Sequence, residues 1–92
     1  MVETPEWGDV RKLIRSLNED QRKTLKYFCV NKSVGELLAL KELQALHKVR
    51  EPAKAIAKLI EVGVLVRGQG CYSISRSFLA AVKEAGVRVD EF

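Results

Sequence analysis

The stretch that most constrains the fold is a helix that stops at a glycine and turns at once into a β-branched run. Lys58-Leu59-Ile60-Glu61-Val62-Gly63-Val64-Leu65-Val66 carries that transition. Gly68-Gln69-Gly70 then folds the chain back into Cys71-Tyr72-Ser73-Ile74-Ser75, so a helix feeds a hairpin. These glycines join two strands instead of opening a helix, which excludes a phosphate-cradling loop. Upstream, Leu40-Lys41-Glu42-Leu43-Gln44-Ala45-Leu46 makes a second short helix, separated from the first by Lys48-Val49-Arg50-Glu51-Pro52. Pro52 sets the start of the following helix, because the residue before a proline is pushed out of the α region. The predicted order is helix, turn, helix, hairpin.

The flanks add helices. Thr4-Pro5-Glu6 is a helix-start signal, and Trp7, Val10, Leu13, Ile14 and Leu17 follow on one face, with Arg11, Lys12 and Arg15 on the wet side. Asn18 with Gln21 predicts a capping box; Leu25, Phe28 and Cys29 form the next buried stripe, and Arg22, Lys23 and Lys26 face out. Ser33-Val34-Gly35-Glu36 reads as a second capping box, starting a helix at about Val34 that runs through Leu37, Leu40, Leu43 and Leu46. In the helix after Pro52, the residues expected to pack inward are Ala53, Ile56, Ala57 and Ile60. Ser75 or Ser77 caps a last helix over residues 78–85, which Gly86 ends. Val87-Arg88-Val89-Asp90-Glu91-Phe92 alternates like a strand but is short and terminal, so a frayed tail is preferred to an edge strand.

Ninety-two residues predict one domain over 1–92, with 87–92 as its tail; 47% apolar and 30% charged residues argue against disorder. No apolar run approaches the roughly 20 residues of a spanning helix, and the Glu3-Thr4-Pro5-Glu6 start does not resemble a secretory signal. The expected location is the cytoplasm. Cys29 and Cys71 lack C-x-x-C spacing and have only His47 for company, so no metal site and no cofactor are expected. Two buried small apolar side chains are the favoured account of these cysteines, ahead of a disulfide or a reactive thiol. Nothing assembles a nucleophile with a base or a pair of carboxylates across a cleft, so no enzyme is expected. His47 is read as a residue of a helix's last turn, with a phosphate contact as the alternative.

The order helix, turn, helix, hairpin resembles the winged helix-turn-helix family. Leu59-Ile60-Glu61-Val62-Gly63-Val64-Leu65 resembles that family's L-x-x-x-G-[LV]-[LI] exit from its reading helix. The resemblance implies a mainly α fold with a β-hairpin wing, N-terminal helices and a C-terminal helix. Winged helices commonly place a short strand before the first helix of the pair and a Ser or Thr cap where this chain has Ala39. Either a longer helix or an uncapped start after a Leu37-to-Leu40 strand follows, and the longer helix is preferred.

A net charge of +4 permits an acidic partner without demanding one. Arg50, Lys54 and Lys58, spaced four apart, predict three cations on one face of the reading helix. Lys48, Arg67, Gln69 and Arg76 are the candidates for flanking phosphates. A plain solvated face competes with this account, since Glu51 and Glu61 lie near the same side. Ala53, Ala55, Ile56, Ala57, Leu59 and Ile60 leave few side chains to read bases, so double-stranded DNA would be held mainly through its backbone, with weak specificity. The second expectation is a protein-interaction adaptor: the chain resembles small stand-alone archaeal winged-helix proteins, which implies an accessory subunit of a larger replication or transcription complex. No membrane partner is expected.

Overall fold

The computed structural model describes Trp7 and residues 9–92. The expected helix start at Thr4-Pro5-Glu6 lies outside the described residues. Helix α1 spans Val10–Ser16, and Asp9 caps it by accepting the Lys12 backbone N–H at 3.2 Å. Trp7 therefore precedes the helix instead of riding on it. Its ring still reaches the core, edge-on to Phe78 at 5.2 Å, with Nε1 donating to Ser77 Oγ at 3.2 Å.

Helix α2, Glu19–Asn31, carries the predicted capping box: Gln21 N–H donates to Asn18 Oδ1 at 2.8 Å, and Asn18 N–H donates to Gln21 Oε1 at 3.0 Å. Leu25, Phe28 and Cys29 are buried as expected, together with Thr24 and Tyr27. Thr24 stays satisfied by donating to the Asp20 carbonyl at 2.8 Å. Lys32, with φ of 64°, then turns the chain out of the helix.

The second capping box does not form. Ser33–Gly35 is strand β1, and helix α3 begins only at Glu36, running to His47. Strand β3, Cys71–Ile74, offers a ladder that competes with the helical start; Ser33 opposes Ser73, and Val34 turns its side chain into the core. A short strand does precede α3, but at Ser33–Gly35; the Leu37-to-Leu40 strand is overturned, because those residues lie within α3, as the preferred longer helix has them. Gly35 gives α3 no side-chain cap, but the Glu36 N–H donates to the Gly70 carbonyl at 2.9 Å, so the hairpin turn satisfies part of what a cap would.

Two predicted stripes are rotated. On α3 the buried residues are Ala39 and Leu43, whereas Leu37 and Leu46 are exposed and Leu40 is half-buried. Helix α4, Pro52–Glu61, starts at its proline as expected, but buries Ala55, Ile56 and Leu59 and leaves Ala53 and Ala57 outside. Leu59 has the larger apolar surface to remove from water, and the face that carries it turns inward in place of the one carrying Ala53 and Ala57. Helix α4 closes through Gly63, whose φ is +84° and whose N–H donates to the Ile60 carbonyl at 3.0 Å.

Strand β2, Leu65–Arg67, pairs with β3 across the Gly68-Gln69-Gly70 turn, and the antiparallel sheet has the order β1-β3-β2. Its inner face is Val34, Leu65, Tyr72 and Ile74, all buried. Helix α5, Arg76–Glu84, is capped by Ser75, which accepts the Phe78 N–H at 3.3 Å. This is the mainly α fold with a β-hairpin that the sequence predicts. The tail expectation is overturned. Val87 is buried with its N–H on the Val82 carbonyl at 3.1 Å, a 3-10 turn at Val89–Glu91 lies against α2, and Phe92 packs half-buried on the core. Packing Val87, Val89 and Phe92 on the core removes their apolar surface from water.

Candidate interaction surfaces

The seven basic and polar candidates do not assemble as one stripe. Arg50 precedes α4 in a bend where its backbone N–H donates to Asp20 Oδ2 at 3.2 Å, so it is not on the helix that carries Lys54 and Lys58. Lys54 is bound to Glu51 at 2.8 Å, and that carboxylate raises its pKa through a hydrogen bond and charge attraction. Lys58 is half-buried one turn further along. Lys48 caps α3 in the left-handed conformation, its Nζ 3.5 Å from the Ala45 carbonyl. Gln69 sits exposed at the hairpin tip, and Arg76 is the exposed first residue of α5.

Arg67 behaves as a clasp. Its Nη2 donates to Glu36 Oε1 at 3.1 Å, tying β2 to the first turn of α3. Burial, and Glu36 nearby, push the Tyr72 phenol above its ordinary value, so the same carboxylate bears on both strands of the hairpin. With the Gly70 carbonyl also engaged by α3, the hairpin is folded onto the body and does not project as a free arm.

Apolar exposure marks other surfaces. Val30 is 66% exposed, and Leu46, next to His47 in the chain, is 67% exposed; a shallow cleft of about 360 Å³ is lined by Lys23, Lys26, Tyr27, Val30 and Asn31 of α2 and by His47 of α3. Tyr27 is fixed at its base: its hydroxyl donates to Glu42 Oε1 at 2.5 Å, and its ring stands edge-on to His47 at 5.3 Å. Burial and the adjacent Glu42 carboxylate raise the phenol's pKa well above its usual value. A second groove of about 450 Å³ lies between α3 and α4, floored by Leu40, Pro52 and Ala53 and edged by Lys41, Glu51 and Lys54. Leu37, 78% exposed, stands one turn from Leu40. The outer face of the sheet is small and uncharged, with Val66, Ser73 and Ser33 in register and a Ser73–Ser33 hydroxyl hydrogen bond of 3.0 Å.

These apolar surfaces were not visible in the sequence. Leu37 and Leu46 fall at helical spacing with Leu40 and Leu43, a pattern that reads as core. The available signal was surplus: α3 offers Leu37, Leu38, Leu40, Leu43 and Leu46, more leucines than one buried stripe of a 12-residue helix can use.

Among the described residues no group of three or more His, Cys, Asp or Glu side chains could hold a metal ion, and no helix is long and apolar enough to cross a membrane. Both cysteines are free, Cys29 buried and Cys71 half-exposed. No curated protein matches the chain. A family model described as PolB1 Binding Protein 2 matches residues 18–79, from the α2 capping residue into α5. That match takes in α2, the sheet, α3, α4 and both clefts, and the chain belongs to the PolB1 Binding Protein 2 family.

Proposed function

We propose that this protein is a non-enzymatic accessory subunit that docks on a DNA polymerase, in the cytoplasm, using a winged-helix scaffold as a protein-binding module. The observation that carries the proposal is the family match, since the family is named for binding PolB1. The surface supports it. Leu37, Leu38, Leu46, Val30 and Val66 are large apolar side chains exposed on a small protein, and such exposure marks interaction sites. The cations proposed for phosphate contact are in part neutralised already, Lys54 by Glu51 and Arg67 by Glu36.

The test is direct titration of the purified chain against the PolB1 polymerase of the same organism by calorimetry, with gel filtration of the mixture. A stoichiometric complex of about micromolar affinity or tighter is expected. Absence of any complex at tens of micromolar, roughly, would sink the proposal.

Duplex DNA contact is the second reading, favoured by Arg50, Lys58 and Arg76, which have no carboxylate partner among the described residues. It would be backbone-dominated, weakly specific and salt-dependent. Lys58→Ala should flatten the slope of log K against log salt by about one, and Lys54→Ala by less, because Glu51 already offsets that charge. Equal duplex binding at low salt by wild type and the Lys54→Ala/Lys58→Ala double variant removes this reading.

A further inference from the structure

We infer that the cleft between α2 and α3 is the polymerase-docking site, and that its occupant is a segment combining apolar side chains with carboxylates. The inference rests on the polymerase-binding reading and adds where, and by what chemistry, the docking occurs. Charge complementarity selects the occupant. The cationic side chains of the lining are Lys23 and Lys26, with the imidazole of His47 beside them, and the lining contains no carboxylate. Glu19 holds Lys23 only through a solvent-exposed contact at 3.4 Å, and Glu42 is committed to the Tyr27 hydroxyl. Lys26 is exposed and has no ion pair among the described residues.

The apolar component is equally specific. Leu46, the residue before the lining His47, is exposed to solvent on the last turn of α3. Val30 stands out on α2 as a β-branched side chain with little rotamer freedom to lose on binding. Beside Val30 in the lining, Tyr27 is held rigid by Glu42 and His47, and the Asn31 amide donates to the Tyr27 carbonyl at 2.9 Å, leaving its oxygen to accept from an incoming backbone N–H. A volume of about 360 Å³ suits a few side chains of a short segment, not the body of a domain. By contrast, the α3–α4 groove mixes Glu51 with Lys41 and Lys54, and the outer sheet face is uncharged, so neither selects a partner by charge.

Four variants decide the matter, each measured by calorimetry against the PolB1 polymerase of the same organism, with hydrogen exchange on the wild-type complex as the second readout. Val30→Asp should weaken the complex at least about 30-fold, the effect of one interface hot spot. Lys26→Glu should weaken it about tenfold and reduce its salt sensitivity. Lys83→Ala and Lys58→Ala, on other surfaces, should leave the affinity unchanged. The side chains of Val30 and Lys26 are exposed, so both variants should melt like wild type. Protection on complex formation should fall on residues 23–31 and 42–48. If the complex forms but Val30→Asp binds normally, or protection falls on α4 or the sheet, the docking assignment is wrong while the polymerase reading stands. If wild type forms no complex, that reading fails and the docking assignment fails with it.

Discussion

Thiol chemistry separates the two faces of this protein. Cys29 is 2% exposed on the buried stripe of α2, and burial raises its pKa from 9.0 to about 11. At pH 8 an ordinary thiol is about one-tenth ionised, whereas one with a pKa near 11 is ionised about one part in a thousand, so ionisation alone slows attack about a hundredfold. The need for local opening slows it further. Cys71 starts β3 on the outer side of the sheet and is half-exposed; its neighbour across the turn, Gly68, has no side chain to cover it. In native protein mixed with a chromogenic disulfide reagent at pH 8, one thiol should react promptly and the second at least about a hundredfold more slowly. Mass spectrometry of quenched samples should place the fast adduct on Cys71. Modification of Cys29 within a factor of about ten of Cys71 would refute the burial argument. The same thiol probes docking: a bulky maleimide on Cys71 should leave polymerase affinity unchanged, and loss of binding would move the interface to the sheet.

Val87→Ala should cost about 1.6 kcal/mol in urea unfolding, from two methyl groups at about 0.8 kcal/mol each, because Val87 is buried; a loss under about 0.5 kcal/mol would restore the frayed-tail expectation. Gly63→Ala should cost about 1–2 kcal/mol from the positive φ alone, since the added Cβ would meet the Trp7 ring at an ordinary 3.5 Å; an unchanged melting temperature would contradict the left-handed assignment. Alkali should destabilise the protein. The folded state keeps the Cys29 proton between pH 9.0 and about 11 while the unfolded chain releases it, so stability present below pH 9 falls through that window by about 2 kcal/mol. The raised Tyr27 phenol extends the fall above its ordinary value of 10.0. Cys29→Ala should remove the earlier part of this decline in denaturant titrations at stepped pH, and an identical decline in the variant would assign it to other groups.

Local chemistry was legible where the residues themselves close the interactions. The Asn18–Gln21 box, Pro52 as the first residue of α4, the Gly63 exit and the Gly68-Gln69-Gly70 turn each depend on groups within a few residues of one another. The second capping box failed because Ser33 and Val34 had a distant alternative, the β3 ladder some 40 residues on, which a local pattern does not reveal. The rotated stripes of α3 and α4 have the same origin. With Leu, Ile and Ala distributed around both helices, periodicity permits several inward faces, and only the neighbouring elements choose Leu43 and Leu59 over Leu46 and Ala53. Of the candidate basic residues, Lys48, Arg50, Lys54, Arg67 and Arg76 are exposed and Lys58 is half-buried, and the partners Glu36 for Arg67 and Glu51 for Lys54 decide how much charge those two present.

That distribution of charge weighs against phosphate contact as the main role. A hairpin that grips a duplex must project, and here its turn carbonyl and its Arg67 guanidinium are both spent on the first turn of α3. Releasing the hairpin would expose the Glu36 N–H and separate an ion pair, a cost on the order of 1–2 kcal/mol before any phosphate is met. The α2–α3 cleft demands no such rearrangement. Val30, in its lining, already stands in solvent, and burying such a side chain against a partner returns about 1.5–3 kcal/mol. Lys23 and Lys26 at the rim would steer an acidic segment and set its register, adding more to the rate and selectivity of association than to its strength. A preformed apolar cleft with a cationic rim would support the proposed docking without refolding, and it shares no residue with the α3–α4 groove.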